Sequence, residues 1–423
     1  MMRRVPGFRV TGFRVTGFRV TGFRVTGFRV PDPESRVPGF TSSESRIFRV
    51  SGFPGSGIDD DDGMWFYPLY MTHPTQPPIL LENVTFETAV WELSSERSFF
   101  CIDSRNAANP AGRYSVMGYS PQNSFNLTGG FITIDGHTSI DTPISALSKF
   151  TKLAGQAPKD RSIPFSGGLF GYVGFEGAKA LRGFAPPNGF SRFPQCYFGL
   201  FGMIAIFDNI EKISFILHDD EHRAKAYLLK ERLEGARPHA PNRWRWNENA
   251  AMCRKLPSQK EFRQLSETAF MWLRSDAARC IHLVQHNEQS IGEASTAEIF
   301  LNHASCGEIS AIFTHEGAAA IISSKTPISR IDGAPHLDHA GEMAWLLPAK
   351  HLTGAPYHKV MSYIDENESL HRGFYGGAFG TITSDGMMLY ASEKVTTIVD
   401  GNIRKTSGID LTADMHPNMI VKY

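Results

Sequence analysis

The sequence predicts a mixed α+β fold in which most strands are antiparallel. Short strand-like runs end in hairpin signals: residues 131–134 alternate in polarity and are followed by Asp135-Gly136, a favoured hairpin turn. Helical patterns with their own start signals lie between such runs, as at Ser258, where Glu261 three residues later completes a capping box. The 423 residues, 41% of them hydrophobic, are enough to bury the core of one large domain or of two ordinary ones.

Charge and composition exclude several classes of function. The 43 basic residues equal the 43 acidic ones, so the chain has no net charge to attract nucleic acid. No run of about 18 apolar residues is present, so we expect no membrane span. The five cysteines include no C-x-x-C pair, which favours reduced thiols in a cytoplasmic protein and gives no zinc motif.

Residues 1–78 read as a low-complexity tail. Residues 8–30 repeat the pentad Phe-Arg-Val-Thr-Gly, and a period of five cannot collect apolar side chains on one face of a helix or strand. Proline, glycine and an acidic run at 59–62 follow, which is linker composition. We expect this tail to be disordered, with the natural start at Met64 or Met71; a transit peptide or a basic nucleic-acid arm is the alternative.

Residues 79–235 form the first part of the predicted body. Residues 203–207 and 213–217 read as two adjacent strands, and residues 221–234 as a helix with Tyr227, Leu228 and Leu233 on its apolar side. The glycine-dense stretch 165–174 lacks the G-K-S/T of a phosphate loop, so its glycines indicate close backbone approach rather than nucleotide binding.

Residues 236–257 contain three prolines and read as a linker to the second part, 258–423. The helix after Ser258 continues with an apolar stripe. A further helix is predicted to begin with Thr353 as N-cap and Pro356 in its first turn. Strands through residues 382, 389 and 395–399 then turn at Asp385-Gly386 and Asp400-Gly401.

Three motif-bearing stretches follow one another over roughly 79–423. The first is Asp103-Ser104 with Arg113-Tyr114-Ser115, Gly167-Gly168 and Gly171-Tyr172; the second is Pro348-Ala349-Lys350-His351-Leu352-Thr353-Gly354-Ala355-Pro356; the third is Arg372-Gly373 with Tyr375-Gly376-Gly377 and Gly380, and Thr406-Ser407-Gly408-Ile409. In this order and spacing they resemble the large subunits of the chorismate-utilising enzymes, component I of anthranilate synthase and of aminodeoxychorismate synthase.

The resemblance implies an anthranilate synthase component I-like fold, a two-layer antiparallel β-sheet sandwich flanked by helices. It also implies the amination of chorismate in tryptophan or folate biosynthesis. The family displaces a hydroxyl of chorismate with ammonia from a glutamine amidotransferase subunit and uses Mg²⁺ to hold the ring carboxylate. Asp103-Ser104 favours the aminodeoxychorismate branch over anthranilate, while the amino-terminal motifs argue against an isochorismate or salicylate synthase.

The same resemblance implies a set of substrate-binding residues. Tyr375 would lie against chorismate, the Gly408 N–H would point at a carboxylate, and Gly377 belongs to the same glycine-rich motif. Lys394, or its neighbour, falls where the family keeps an arginine. A lysine cannot give a carboxylate the two parallel hydrogen bonds that an arginine gives it. Without the resemblance, Tyr375 and Gly408 read equally well as sheet and turn residues.

The departures from the family concern catalysis. Only residues 328–347 separate the S-P-E-like stretch at 323–327 from Pro348, so the long family segment that carries the acid–base group and a magnesium ligand is missing. His351 replaces a threonine, Tyr357 replaces a lysine, and residues 414–422 lack the second metal-binding glutamate. We therefore assign no catalytic residue and no Mg²⁺ ligand, and expect little turnover. A non-catalytic binding homologue is the alternative to an aminating enzyme.

Two groups of histidines remain. His336, Asp338, His339 and Glu342 lie in the shortened stretch and read as a solvated loop rather than a metal site. His282 and His286 are four residues apart, a spacing that suits one face of a helix, although their apolar neighbours suit a strand equally well.

Overall fold

The computed structural model describes residues 76–105, 113–156, 167–184, 192–237, 246, 253–292, 294–303, 308–328, 337–383 and 386–415, and four short strands of the tail. The chain divides into two units, Met1–His73 and Pro74–Tyr423. In the first unit β1 (Arg14–Val15) pairs with β2 (Phe18–Arg19), and β3 (Gly57–Ile58) pairs with β4 (Trp65–Phe66), both antiparallel. The predictions for the rest of the tail, most of the linker, the Asp385 turn, His336 and residues 416–423 lie outside the described residues.

Twenty strands and eight helices are described in the second unit. The strands are β5 (Ile79–Leu81), β6 (Phe100–Asp103), β7 (Tyr114–Gly118), β8 (Asn123–Thr128), β9 (Phe131–Ile134), β10 (His137–Ser139), β11 (Leu169–Val173), β12 (Cys196–Leu200), β13 (Met203–Asp208), β14 (Ile213–His218), β15 (Arg254–Leu256), β16 (Cys280–Ser290), β17 (Ile309–His315), β18 (Ala318–Ser324), β19 (Pro327–Ile328), β20 (Gly354–Ala355), β21 (Ala378–Thr383), β22 (Gly386–Ala391), β23 (Lys394–Val399) and β24 (Asn402–Thr412). The helices are α1 (Phe86–Leu93), α2 (Pro143–Thr151), α3 (Phe175–Leu181), α4 (Arg223–Gly235), α5 (Gln259–Arg274), α6 (Thr296–His303), α7 (His339–Leu346) and α8 (Tyr357–Asn367).

The strands form two sheets in which every described pairing is antiparallel. The larger, twelve-stranded sheet runs β15-β16-β24-β23-β18-β17-β6-β7-β13-β14-β5, with β20 added to β16. The smaller, eight-stranded sheet runs β10-β9-β8-β12-β11-β21-β22-β19. Strands from residues 79–235 and from residues 258–423 share both sheets, because β6 pairs with β17 and β11 pairs with β21.

The two sheets pack face to face around an aromatic core. Phe100 of the larger sheet stacks on Phe170 of the smaller one, with ring centroids 4.2 Å apart. Helices α1, α4 and α6 cover the outer face of the larger sheet, α2, α3 and α7 cover that of the smaller, and α5 and α8 pack near β16 and β24. The predicted two-layer antiparallel sandwich flanked by helices is therefore confirmed.

Several local predictions are confirmed and three need correction. Strands β13 and β14 pair as predicted, and Ser258 and Glu261 form the capping box of α5. Helix α4, however, buries Ala226, Leu229 and Leu233, while Tyr227 and Leu228 are exposed. The small side chain of Ala226 lets the helix approach the sheet with this face instead of the predicted one.

Helix α8 begins after Pro356 rather than at Thr353. The Thr353 hydroxyl donates to the carbonyl of Ala349 at 2.9 Å, so it closes the preceding turn and caps no helix. Thr353 also accepts from the His282 N–H through its carbonyl at 3.0 Å. The motif turn is thus fixed to β16.

The shortened stretch forms helix α7, not the solvated loop that the sequence suggested. Asp338 caps the helix by accepting from the Gly341 N–H at 2.8 Å. Ala340, Met343 and Leu347 are buried against the smaller sheet, a spacing of three and four residues that gives one apolar face. The stretch therefore covers part of the outer face of the smaller sheet.

In the ranges described above, no helix is both long and apolar enough to cross a membrane.

Candidate functional site

The motif residues converge where β16 and β24 run side by side. His282 of β16 lies directly opposite Asp410 of β24, and Val284 lies opposite Gly408. Tyr375, in the turn between α8 and β21, reaches the same point from the smaller sheet's side of the core. Two long strands and one tight turn thus fix three functional groups in one place.

His282 connects its two polar neighbours. Its Nδ1 lies 2.6 Å from the Asp410 carboxylate, and its Nε2 lies 2.9 Å from the Tyr375 hydroxyl. The imidazole and phenol rings are nearly parallel, with centroids 5.6 Å apart. His282 and Tyr375 are buried, whereas the Asp410 side chain is 60% exposed, so the arrangement runs from the core to solvent.

Gly408 leaves the space that this arrangement needs. A Cβ at Gly408 would lie 2.0 Å from His282 Nε2 and 2.6 Å from the Tyr375 hydroxyl, closer than atoms can approach. Any larger residue would push the two side chains apart and break their hydrogen bond. The residue type at 408 is therefore set by the His282–Tyr375 contact.

The backbone of Gly408 faces an opening in the sheet. The His282 N–H is donated to Thr353, away from β24, so by antiparallel alternation the N–H and C=O of Gly408 point away from β16. Strand β23 would cover that side, but it pairs with β24 only from Asn402 to Thr406. In the described part of the chain, no strand pairs with that side of β24 at Gly408.

A second histidine–carboxylate pair lies close by. His351 Nε2 is 3.4 Å from Glu393, which also accepts from the Lys325 N–H at 2.9 Å and from the Thr326 hydroxyl. Burial alone would raise the pKa of Glu393, but these hydrogen bonds outweigh it and lower the pKa to about 2. The charge of His351 also contributes to lowering the pKa of Asp410, so the two pairs interact.

Arg372 anchors the site from behind. Its guanidinium donates to the carbonyls of His282 and Leu352, at 2.6 and 2.9 Å, and forms a two-point ion pair with Glu368. The Arg372 N–H and the following N–H are accepted by the buried Glu176 at 2.8 and 3.0 Å. The motif arginine therefore has a positioning role.

A cavity of about 290 Å³ lies beside this anchor, between α5 and the loop that follows α8. Arg372, Glu368 and His286 contribute to its wall. The Nδ1 of His286 lies 2.9 Å from the Thr406 hydroxyl, and burial lowers the pKa of His286 to about 4. His286 is thus a buried, neutral histidine on the same strand face as His282.

Of the four substrate-binding residues expected from sequence, the structure brings two together. Tyr375 and Gly408 are in contact distance of each other. Gly377 lies against β11, where a Cβ would meet the Val173 carbonyl oxygen at 2.1 Å, and its own carbonyl accepts from the Ser392 N–H. Its place in the structure is that of a packing residue.

Lys394 lies on the far face of its strand. Its ammonium donates to the buried Glu308 at 2.5 Å, and its neighbour Val395 is the residue that joins Tyr375 in the core between the sheets. Successive strand residues face opposite sides, so Lys394 cannot also face Tyr375. The two neighbours of Lys394 on the near side are Glu393 and Val395.

Sequence reasoning missed Asp410, Glu393 and the role of His282. Asp410 is two residues beyond Gly408, so on a strand both lie on one face, and His282 occupies the middle of a run that alternates as a strand. These spacings could have indicated Asp410 and His282 as site residues. Nothing in the sequence indicates that the two strands, more than a hundred residues apart, pair with each other.

The residues around Tyr375 do not fit a magnesium ion. Mg²⁺ requires an octahedral set of oxygen ligands, usually including one or two carboxylates. Glu393 and Asp410 each already accept from a histidine, and among the described residues no group of three His, Cys, Asp or Glu side chains could hold a metal ion.

Comparisons with known proteins agree on one family. Residues 328–391 match the family model described as chorismate binding enzyme. Anthranilate synthase component 1 of Methanothermobacter thermautotrophicus is 32% identical over 111 residues, which cover 25% of this chain and 22% of that protein. The same component of Streptomyces coelicolor is 39% identical over 71 residues, covering 16% of this chain and 14% of the relative. The matched stretches thus span less than a quarter of these relatives.

Solved structures extend the similarity of fold over most of the chain. Anthranilate synthase component I from Streptococcus pneumoniae superposes with a TM-score of 0.60 at 16% identity, covering 74% of this chain and 91% of that one. The menaquinone-specific isochorismate synthase MenF of Escherichia coli gives a TM-score of 0.57 at 11% identity, covering 82% and 90%. At these identities the likeness shows the fold alone.

Proposed function

We propose that this chain, which belongs to the chorismate-utilising enzyme family, binds chorismate where Tyr375, Gly408 and His282 meet. The observation that carries the proposal is the backbone of Gly408, which points into the opening beyond the end of β23 beside a buried phenol. A carboxylate of the ligand would accept from this N–H, as oxyanions accept from preorganised backbone donors.

The reaction that we propose is the component I reaction, in which ammonia displaces a hydroxyl of chorismate. The nitrogen would come from a glutamine amidotransferase subunit, and the product would be aminodeoxychorismate or anthranilate. Asp103-Ser104 favours the first of these. Support for this reaction comes from the motifs and from the relatives' names, which are those of anthranilate synthase components.

A second candidate is a homologue that binds chorismate without converting it. It is favoured by the carboxylates near Tyr375, which are engaged by histidines and do not fit the magnesium ion that the family uses. Such a protein would keep the pocket and the outer frame of the sandwich. Both candidates require binding, and only the first requires product.

Calorimetric titration with chorismate tests the shared requirement. The unaltered chain should bind, and Gly408→Val should weaken binding about 30-fold, equivalent to about 2 kcal/mol, because the side chain would displace His282 and Tyr375 from the binding site. Gly235→Ala is the matched control, since a Cβ there meets no atom within 4 Å. No binding by the unaltered chain at millimolar chorismate would refute the proposal.

Product formation separates the two candidates. The chain is incubated with chorismate and ammonium chloride, with and without Mg²⁺, and chorismate and all amine products are separated by chromatography and followed by absorbance and fluorescence. Amine product supports the aminating enzyme and identifies its branch. Binding without any product supports the non-catalytic homologue.

A further inference from the structure

The hydrogen bonds of His282 have a defined direction. A neutral imidazole has one N–H donor and one acceptor nitrogen. Because the Asp410 carboxylate can only accept, the proton of His282 lies on Nδ1, and Nε2 accepts from the Tyr375 hydroxyl. Asp410, His282 and Tyr375 therefore form a continuous hydrogen-bonded chain from solvent to the buried phenol.

The protonation states at the two ends suit proton transfer. Burial, with a smaller contribution from the charges of Asp410 and Glu393, raises the pKa of Tyr375, so the phenol keeps its proton at neutral pH. The hydrogen bond from His282 lowers the pKa of Asp410, so this carboxylate stays ionised. An ionised carboxylate beside an imidazole stabilises the imidazolium when it forms.

The hydrogen-bonded residues Asp410, His282 and Tyr375 are also held rigidly. Asp410 and His282 are opposite residues of the longest strand pair in the larger sheet, and Arg372 holds the His282 carbonyl at 2.6 Å. The Tyr375 turn follows Arg372 directly and is tied by the Gly376 N–H to the Ser392 carbonyl at 3.0 Å. Fixed geometry of this kind is what proton transfer over hydrogen-bond distances requires.

From this geometry we infer that Asp410, His282 and Tyr375 form a proton relay that supplies the acid for departure of the chorismate hydroxyl, in place of the missing segment. The inference rests on the proposed function. In this relay Tyr375 is the catalytic residue, because it alone would touch the substrate. His282 and Asp410 are positioning and relay residues.

The step balances without a further reactant. The lone pair of ammonia forms the new C–N bond, the C–O bond breaks with its electron pair on oxygen, and that oxygen takes the Tyr375 proton and leaves as water. The new ammonium group then loses a proton, which the free Nε2 of His282 takes up while the ionised Asp410 stabilises the imidazolium. The Nε2–H passes this proton to the phenolate of Tyr375, so that His282 is again neutral with its proton on Nδ1.

The test compares Tyr375→Phe, His282→Asn and their double variant with His286→Asn. His286 is the matched control, a buried histidine on the same strand face that lies outside the relay. Chorismate consumption with ammonium chloride is followed by chromatography of all products, and binding is measured separately by calorimetry. Urea unfolding of each variant verifies that it folds.

Each single relay variant should lower kcat about 100-fold or more, the usual effect of losing a general acid, and change the chorismate Kd less than threefold. The double variant should be no slower than the slower single variant, because the two residues act as one unit. The control should keep the rate of the unaltered chain.

Several results would overturn the relay. Parallel loss of binding and rate would mean a structural role, and single variants that retain the rate within threefold would exclude the relay directly. An additive double variant would show that the residues act separately. Binding by the unaltered chain without turnover would refute the relay alone, whereas absence of binding would refute the proposed function and the relay with it.

Discussion

Replacing Arg372 by methionine is expected to lower the free energy of unfolding by about 3–5 kcal/mol, the usual effect of breaking a buried ion pair. Arg372 is 3% exposed, and its partner Glu368 has a side chain that is 7% exposed. Without the guanidinium, the Glu368 carboxylate remains buried and unpaired, and the carbonyls of His282 and Leu352 lose their donor. Methionine retains most of the packing volume, so the loss reports the polar contacts.

A second substitution separates the two contributions to this loss of stability, that of the unpaired Glu368 charge and that of the two carbonyls. Removing Glu368 as well, in Arg372→Met/Glu368→Met, takes away the unpaired charge and leaves only the two carbonyls, for which about 1–3 kcal/mol is expected. The double variant should therefore be more stable than Arg372→Met alone. Urea unfolding followed by circular dichroism gives these values.

Arg97→Ala is the matched control for this comparison. Arg97 pairs with Glu316, and their side chains are 77% and 55% exposed, so its loss should change stability by less than about 0.5 kcal/mol. If Arg372→Met cost less than about 1 kcal/mol, or if the double variant were less stable than the single one, Arg372 would not be the anchor described above.

Three further predictions concern packing and pH. Gly377→Ala should reduce the yield of folded protein in expression trials, because its Cβ would meet the Val173 carbonyl oxygen at 2.1 Å, and normal yield would show that β11 can move away. The pKa of Glu393 is lowered in the folded protein to about 2 from an ordinary 4.5, so Glu393 contributes stability that is lost as pH falls from about 4.5 to 2. Glu393→Gln should reduce the dependence of the unfolding free energy on pH in this range, measured by urea unfolding at a series of pH values. An unchanged slope would contradict this. The pKa of His286 is lowered in the folded protein to about 4 from 6.5, so as pH falls the unfolded chain takes up a proton first, and stability decreases between about pH 6.5 and 4. His286→Gln should remove this decrease. If the decrease persisted in the variant, it would belong to another group.

Local chemistry was enough to predict the class of fold. The capping box at Ser258 and the paired strands predicted at 203–207 and 213–217 depend on neighbours within a few residues, and both appear as expected. The phase of α4 could not be read in the same way. Leu228 is as apolar as Leu229, and only the sheet surface beneath the helix decides which of them is buried.

The site was predictable only in part for the same reason. Tyr375 and Gly408 carry motif signals, whereas Asp410 and Glu393 are ordinary acidic residues in the sequence. Asp410 acquires its role from the register that places it opposite His282, and Glu393 from a turn that brings His351 to it. Strand register over long separations is set by the whole sandwich and not by the residues that it aligns.

The interleaving of early and late strands has a consequence for how the chain is made. Strand β11 lies between β12 and β21, so residues 169–173 lack one neighbour until residues 378–383 have left the ribosome. At the usual rate of 5–20 residues per second, that interval is roughly 10–40 s. During it an apolar strand edge is open to other nascent chains. Production of this protein should therefore depend on chaperones that shield the growing polypeptide until translation ends.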